Sequence, residues 1–156
     1  MLSQIKTLLT NHSSACITQA NKLAQKNNKK TIHGEDLFWG ISMFFKSNQI
    51  NSIFWKLIGL PEDILEDYRY EYYKTEKTLK QNKKDKMLPL NKKLIQSIQK
   101  YINTNTKKLD LDVLFLASFY NMSNQFVDHL DEHQIKHETI INNYKKLNKN
   151  PMIQQM

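Results

Sequence analysis

Apolar residues recur along most of this chain at intervals of three and four positions, the spacing of one face of an α-helix. Polar breaks and turn residues divide the pattern into eight predicted helices. The first half contains a long helix that ends near 27–30, a buried helix over 37–45, a helix over 51–58 and an acidic helix with Pro61 at its first helical position. The second half contains helices over about 94–102, 113–120, 124–132 and 137–147. No segment alternates apolar and polar residues over the length of a strand, so the chain is predicted to be all-α.

The same order of elements occurs in both halves, which indicates an internal repeat. In each half a long helix and a polar break are followed by an acidic helix start, a buried apolar helix, a short helix, a turn and a closing helix. Glu35 corresponds to Asp112, and the turn residue Gly59 corresponds to Gln134, at nearly the same offset along the chain. The predicted architecture is therefore two pseudo-repeated four-helix units packed together.

The predicted domain boundaries follow from this repeat and from a change in composition between the halves. A first repeat with an N-terminal extension spans 1–67, a lysine-rich linker spans 68–88, a second repeat spans 89–147 and a tail spans 148–156. Three tyrosines, Tyr70, Tyr72 and Tyr73, mark the start of the linker. Residues 74–108 contain 11 Lys against two acidic residues, a local charge of +9 (11 − 2).

The basic charge of the whole chain is weak evidence for an acidic partner. Its 156 residues have a net charge of +8 and include 22 Lys but one Arg, Arg69. Lys, Asn and Ile together fill 53 positions, so the enrichment in Lys belongs to the whole chain rather than to one site. A nucleic-acid-binding module is a less favoured alternative: lysines near aromatic rings can contact phosphates, but the arginines that commonly recognise base edges are lacking.

Several classes of protein do not fit the sequence. No apolar run approaches the ~20 residues of a transmembrane helix, and Met1–Thr10 does not resemble a secretory signal, so no membrane partner is expected. Cys16 is the sole cysteine, which fits a reducing compartment; the cytoplasm is predicted, with the stroma of a plastid or other organelle as the alternative. The scattered glycines form no phosphate-binding loop, and no nucleophile, base and orienting group come together, so no enzymatic activity is predicted.

Several segments carry a resemblance to a known family. Residues 31–41, Thr-Ile-His-Gly-Glu-Asp-Leu-Phe-Trp-Gly-Ile, resemble the motif Tyr-Val-Gly-Thr-Glu-His-Leu-Leu-Leu-Gly-Leu, with Asp36 in place of its His. Residues 54–60 resemble the turn Leu-x-x-Leu-Gly-Val/Ile, and residues 89–95 resemble Pro-Arg-Ala-Lys-Lys-Val-Ile. Over residues 9–147 the chain resembles the Clp repeat domain, the N-terminal domain of AAA+ unfoldases of the ClpA, ClpC and ClpB type.

The resemblance implies a non-catalytic recognition function without a cofactor. Domains of this family receive client proteins or adaptor proteins and pass them to an ATP-driven hexameric ring, which can feed a Clp protease. In the ClpC branch each repeat also binds phosphorylated arginine through an acidic residue and a Thr. Carried over by position, the candidate residues are Thr10 and Glu35 in the first repeat and Asp112 in the second. The chain is expected to be monomeric, either as one domain of a longer unfoldase or as a free-standing Clp repeat protein that regulates such a machine.

The candidate carboxylates also have a simpler interpretation. Glu35 and Asp112 would each stabilise a helix N-terminus and bind no ligand. His129, His133 and His137 have a spacing that suggests a metal site, but the predicted turn at 134–135 would break their common face. No metal site is therefore predicted.

Overall fold

The computed structural model describes residues 11–47, 51–73, 86–104 and 110–148. These residues form eight helices and no strand, which confirms the predicted all-α class. The helices are α1 (Asn11–Lys26), α2 (Gly34–Ser47), α3 (Asn51–Ile58), α4 (Glu62–Tyr72), α5 (Lys92–Thr104), α6 (Leu111–Tyr120), α7 (Asn124–Glu132) and α8 (His137–Leu147). Within these ranges no helix combines the length and the hydropathy needed to cross a membrane.

The helix bounds follow the sequence pattern to within a few residues, and α2 extends beyond the predicted range 37–45 at both ends. The prediction that Pro61 is the first helical residue is wrong by one position, because its backbone is extended (φ −60°, ψ 135°) and it is the N-cap. At its other end α4 continues to Tyr72, because Leu65 and Tyr68 bury one face of the helix. The first residues of the predicted linker are therefore helical, and residues 74–85 lie outside the described part of the chain.

The core forms where two strongly apolar helices, α2 and α6, pack against each other. All residues from Val113 to Phe119 are buried, so α6 has no polar face. Phe38 of α2 lies at the centre of an aromatic cluster, with its ring centroid 6.0 Å from that of Phe115 and 5.6 Å from that of Phe126. The core is therefore built jointly by both halves of the chain.

Small residues allow α1 and α2 to approach closely. A Cβ atom added to Gly40 would lie 2.7 Å from the carbonyl oxygen of Cys16 and 3.0 Å from the backbone nitrogen of Ala20. The Cys16 side chain is fully buried in the core, and burial raises the pKa of its thiol to about 12. Cys16 is thus a packing residue, since a thiol with so high a pKa is a poor nucleophile.

The turns that end α3 and α7 have the same hydrogen-bonding pattern. Gly59 and Gln134 both have positive φ angles, of 81° and 61°. The next residue in each turn donates a backbone hydrogen bond back to the helix, from Leu60 to Trp55 and from Ile135 to Leu130, both at 2.9 Å. This is the Schellman arrangement of a helix C-terminus, at the two positions that the sequence pairs.

Contacts between the helices connect the two halves reciprocally. Helix α3 packs against α8, and α4 packs against α7. The loop before α2 is also joined to the segment before α5, because Ile32 donates a backbone hydrogen bond to Pro89 (2.8 Å) and accepts one from Asn91 (2.7 Å). These contacts bring the N-terminal end of α2 close to elements of both halves.

Candidate functional site

The first candidate carboxylate, Glu35, lies in the first turn of α2 and is held by two hydroxyl groups. Tyr68 of α4 donates to it, with distances of 3.1 and 3.0 Å to Oε1 and Oε2. Ser123, the N-cap of α7, donates to Oε1 at 2.7 Å. Glu35 is therefore half-buried at a point where α2, α4 and α7 meet.

Tyr68 is the most buried member of this group and fixes its geometry. Its side chain is 1% exposed, and its ring packs edge-on against Phe126 with centroids 5.1 Å apart. Burial raises the pKa of Tyr68 far above its usual range, and the Glu35 carboxylate contributes in the same direction. Tyr68 consequently remains a hydrogen-bond donor to Glu35 even at an alkaline pH at which an exposed tyrosine ionises.

The neighbouring carboxylate, Asp36, has a structural function that the resemblance to the family motif does not indicate. It is fully buried, accepts a hydrogen bond from the Tyr73 hydroxyl, and lies 3.0 Å from Nζ of Lys29. Its second oxygen accepts from the backbone N–H of His33 at 2.8 Å. His33 is the N-cap of α2, and Asp36 is three positions after it. The hydrogen bond between them is therefore half of a capping box, a pattern defined by spacing in the sequence.

The second candidate carboxylate, Asp112, occupies the first turn of α6 and also accepts from a tyrosine of a closing helix. The hydroxyl of Tyr144 in α8 lies 3.1 Å from its Oδ1. Asp112 is half-buried in a groove of about 180 Å³ between α3 and α8. The other residues that line this groove include Phe54, Leu57, Ile58, Tyr144 and Leu147.

The two candidate carboxylates have different partners and do not share a hydroxyl group. Glu35 bonds to Tyr68 and Ser123, whereas Asp112 bonds to Tyr144. The third candidate, Thr10, lies outside the described residues. The sequence pattern predicts both carboxylates in the first turns of helices, but it does not indicate their hydroxyl partners.

Two of the three histidines considered as metal ligands, His129 and His137, lie within hydrogen-bond distance of backbone carbonyl groups. Nε2 of His129 lies 3.0 Å from the carbonyl oxygen of Ile64, and Nε2 of His137 lies 2.7 Å from that of Phe119. Burial lowers the pKa of His137. In the described ranges no group of three or more His, Cys, Asp or Glu side chains is arranged to hold a metal ion.

A second groove, of about 540 Å³, lies where α4 and α7 meet. Its lining combines three carboxylates with four aromatic or imidazole side chains: Asp67, Glu71, Glu132, Tyr70, Tyr72, His129 and His133. The pKa of Tyr72 is raised, mainly by the negative charge of Glu71 and then by partial removal from solvent and by the charge of Glu132. This face is acidic although the chain as a whole has a net charge of +8.

Comparisons of the chain with models of protein families, with curated proteins and with solved structures found no match.

Proposed function

We propose that this chain is a two-repeat Clp-type recognition domain that binds client or adaptor proteins for an AAA+ unfoldase. The observation that carries the proposal is one contact that occurs in both halves. A carboxylate in the first turn of the buried helix accepts a hydrogen bond from a tyrosine of the closing helix, in Glu35–Tyr68 and again in Asp112–Tyr144. The spacing in sequence between the two carboxylates is nearly the same as that between the two tyrosines.

Further features support the division into two repeats. The closing helices α4 and α8 both have 11 residues and follow N-caps at Pro61 and Lys136. The two Schellman turns that precede these helices are separated by the same number of residues as the two N-caps are. The packing of α3 on α8 and of α4 on α7 is what a pseudo-two-fold relation between two four-helix units would produce. The recurrence of helix starts, turns and contacts in the same order supports an internal repeat more than a similarity of single helices would.

The proposed activity is binding rather than catalysis. Glu35 and Asp112 are half-buried carboxylates in first helical turns, and each suits the guanidinium group of an arginine in a client or an adaptor. The phosphorylated form of arginine is the ligand that the resemblance implies for Glu35 with Thr10, and for Asp112. The domain would act as a monomer in the cytoplasm, or in the stroma of an organelle. It would belong to a longer unfoldase or regulate one as a separate chain.

The decisive experiment joins this chain to the ATPase rings of a Clp-type unfoldase whose own N-terminal domain has been removed. Unfolding of a fluorescent client protein is then followed in the presence of ATP. The fusion is expected to unfold the client faster than the rings alone, and the free chain is expected to bind the same client without ATP. If the fusion is no faster and the free chain binds no client, the proposal is wrong.

The phosphoarginine hypothesis is tested separately by titrating the chain with a phosphoarginine-containing protein. Glu35→Gln keeps the shape of the side chain and its ability to accept from Tyr68 but removes its charge. This variant is expected to bind more weakly than the wild-type chain, with an unchanged circular dichroism spectrum. Unchanged binding would exclude the Glu35 site.

A further inference from the structure

The groove beside Asp112 has exposed apolar rims and one charged residue in its lining. Leu57 of α3 is 60% exposed and Leu147 of α8 is 51% exposed, and these residues flank the opening. Phe54 and Tyr144 form an aromatic wall, with their rings edge-on and their centroids 5.9 Å apart. Among the described residues that line the groove, Asp112 alone has a charge.

The size of the groove limits what can occupy it. Its volume of about 180 Å³ is below the ~300–1,000 Å³ of a typical small-molecule site. That space accommodates one long side chain of a protein partner. Asp112 is oriented for such a ligand, because the Tyr144 hydroxyl holds its Oδ1 at 3.1 Å.

We infer that this groove binds an unmodified arginine next to an aliphatic residue in an extended segment of a client or adaptor protein. The planar guanidinium would pair with the Asp112 carboxylate, while the apolar stem of the arginine would lie against Phe54. The neighbouring aliphatic side chain would cover Leu57 and Leu147. This inference rests on the proposed function and names the ligand of one of its two sites.

Charge complementarity favours arginine over its phosphorylated form at this groove. A phosphoryl group would add negative charge beside Asp112, and the described lining contains no Lys or Arg to compensate it. Lys56 and Lys146 are neighbours of the rim residues in sequence, but both are exposed and lie outside the lining, where solvent and salt screen their charge. Arginine suits the site better than lysine because its guanidinium can bond in a bidentate way and can stack on an aromatic ring.

The test measures the binding of labelled nine-residue peptides to the full chain by fluorescence anisotropy. The peptides share a Gly/Ser background and differ at a central Arg-Leu pair, in which the arginine is kept, replaced by citrulline or phosphorylated. Asp112→Asn removes the charge but retains an acceptor for Tyr144. Asp110→Asn is the matched control, because Asp110 is the exposed N-cap of the same helix and its side chain makes no capping hydrogen bond.

The arginine peptide is expected to bind the wild-type chain about tenfold or more tightly than the citrulline peptide. Asp112→Asn should abolish this preference, and Asp110→Asn should preserve it. Leu57→Ser should weaken binding of both peptides, because it removes apolar contact area from the rim. Thermal unfolding of each variant verifies that the fold is intact.

The inference is overturned if arginine and citrulline peptides bind equally, if Asp112→Asn leaves the preference unchanged, or if the phosphoarginine peptide binds most tightly. These outcomes are distinguishable from failure of the proposed function. Selective binding of the arginine peptide without stimulation of the unfoldase would overturn only the link to the unfoldase. Stimulation without arginine selectivity would overturn only this assignment of the groove.

Discussion

The hydroxyl of Ser123 donates a hydrogen bond of 2.7 Å to Glu35, although the two residues are 88 positions apart in the chain. The same hydroxyl accepts from the backbone N–H of Phe126 at 3.2 Å and so caps α7. It also lies 3.1 Å from the hydroxyl of Tyr68. One serine therefore links the first turns of α2 and α7 to the closing helix of the first half.

Replacing this serine tests how strongly the two halves depend on each other. Ser123→Ala removes both the cap of α7 and the hydrogen bond to Glu35, so it is expected to lower the free energy of unfolding by about 1–3 kcal/mol. Urea titration followed by circular dichroism measures the change. Ser14→Ala, at an exposed position of α1, is the control and should change the free energy by less than about 0.5 kcal/mol. Equal effects of the two substitutions would contradict the structural importance of Ser123.

Most helix bounds can be predicted from the sequence, because local signals determine them. The acidic start of α2, the glycine after α3 and the proline before α4 each act within one turn of the helix end that they mark. The sequence also predicts the turn at Gln134, although no glycine marks it, because the order of elements along the chain pairs Gln134 with Gly59. Local patterns and one internal comparison therefore predict most of the secondary structure.

The partners of the candidate carboxylates could not be predicted, because they are distant in sequence. Tyr68 is 33 residues from Glu35, and Tyr144 is 32 residues from Asp112. The sequence predicts that Tyr68 begins the linker, since it precedes a polar, lysine-rich segment, yet burial against Phe126 makes it part of the core. Side-chain partners depend on tertiary packing, which a local pattern does not encode.

The buried carboxylate Asp36 is expected to contribute more to stability than an exposed one. Asp36→Ala would leave the buried Tyr73 hydroxyl and the N–H of His33 without their acceptor, so the free energy of unfolding should fall by about 2–4 kcal/mol. Urea unfolding of the variant measures the loss.

The control for this prediction is Glu66→Ala. Glu66 forms an ion pair with Arg69 at 2.9 Å, but the two side chains are 48% and 40% exposed. Removal of this exposed pair should cost less than about 1 kcal/mol. A loss at Glu66 as large as that at Asp36 would show that burial of the Asp36 network is not what stabilises the start of α2.

The turns at Gly59 and Gln134, which both have positive φ, are expected to respond in opposite directions to substitution. Gly59→Ala would place a Cβ in the left-handed region at φ 81°, and 3.2 Å from Nδ2 of Asn143, so it should destabilise the protein by about 1–2 kcal/mol. Gln134→Gly should relieve the same backbone strain at φ 61° and stabilise the protein by up to about 1 kcal/mol. Melting temperatures of the two variants and the wild-type chain test this, and a stabilising effect of Gly59→Ala would refute it.

Three buried tyrosines should make the fold sensitive to alkaline pH. Burial raises the pKa values of Tyr68, Tyr73 and Tyr144, and the carboxylates of Glu35, Asp36 and Asp112 raise them further. In the unfolded chain a tyrosine has a pKa of about 10, so above this pH the unfolded state binds fewer protons than the folded state. The stabilisation is complete below about pH 10. As the pH rises above 10, each buried tyrosine should lower the free energy of unfolding by up to about 1.4 kcal/mol per pH unit.

Comparison of variants separates this effect from the titration of the many lysines. The free energy of unfolding is measured by urea titration at several pH values between 8 and 11. It should decrease less with pH for Tyr144→Phe than for the wild-type chain, because the variant lacks one tyrosine that stays protonated in the folded state. Tyr70→Phe, at a position that is 76% exposed, is the control and should retain the wild-type pH dependence. If Tyr144→Phe and the wild-type chain lose stability equally between pH 10 and 11, the hydroxyl of Tyr144 is not protected by burial beside Asp112.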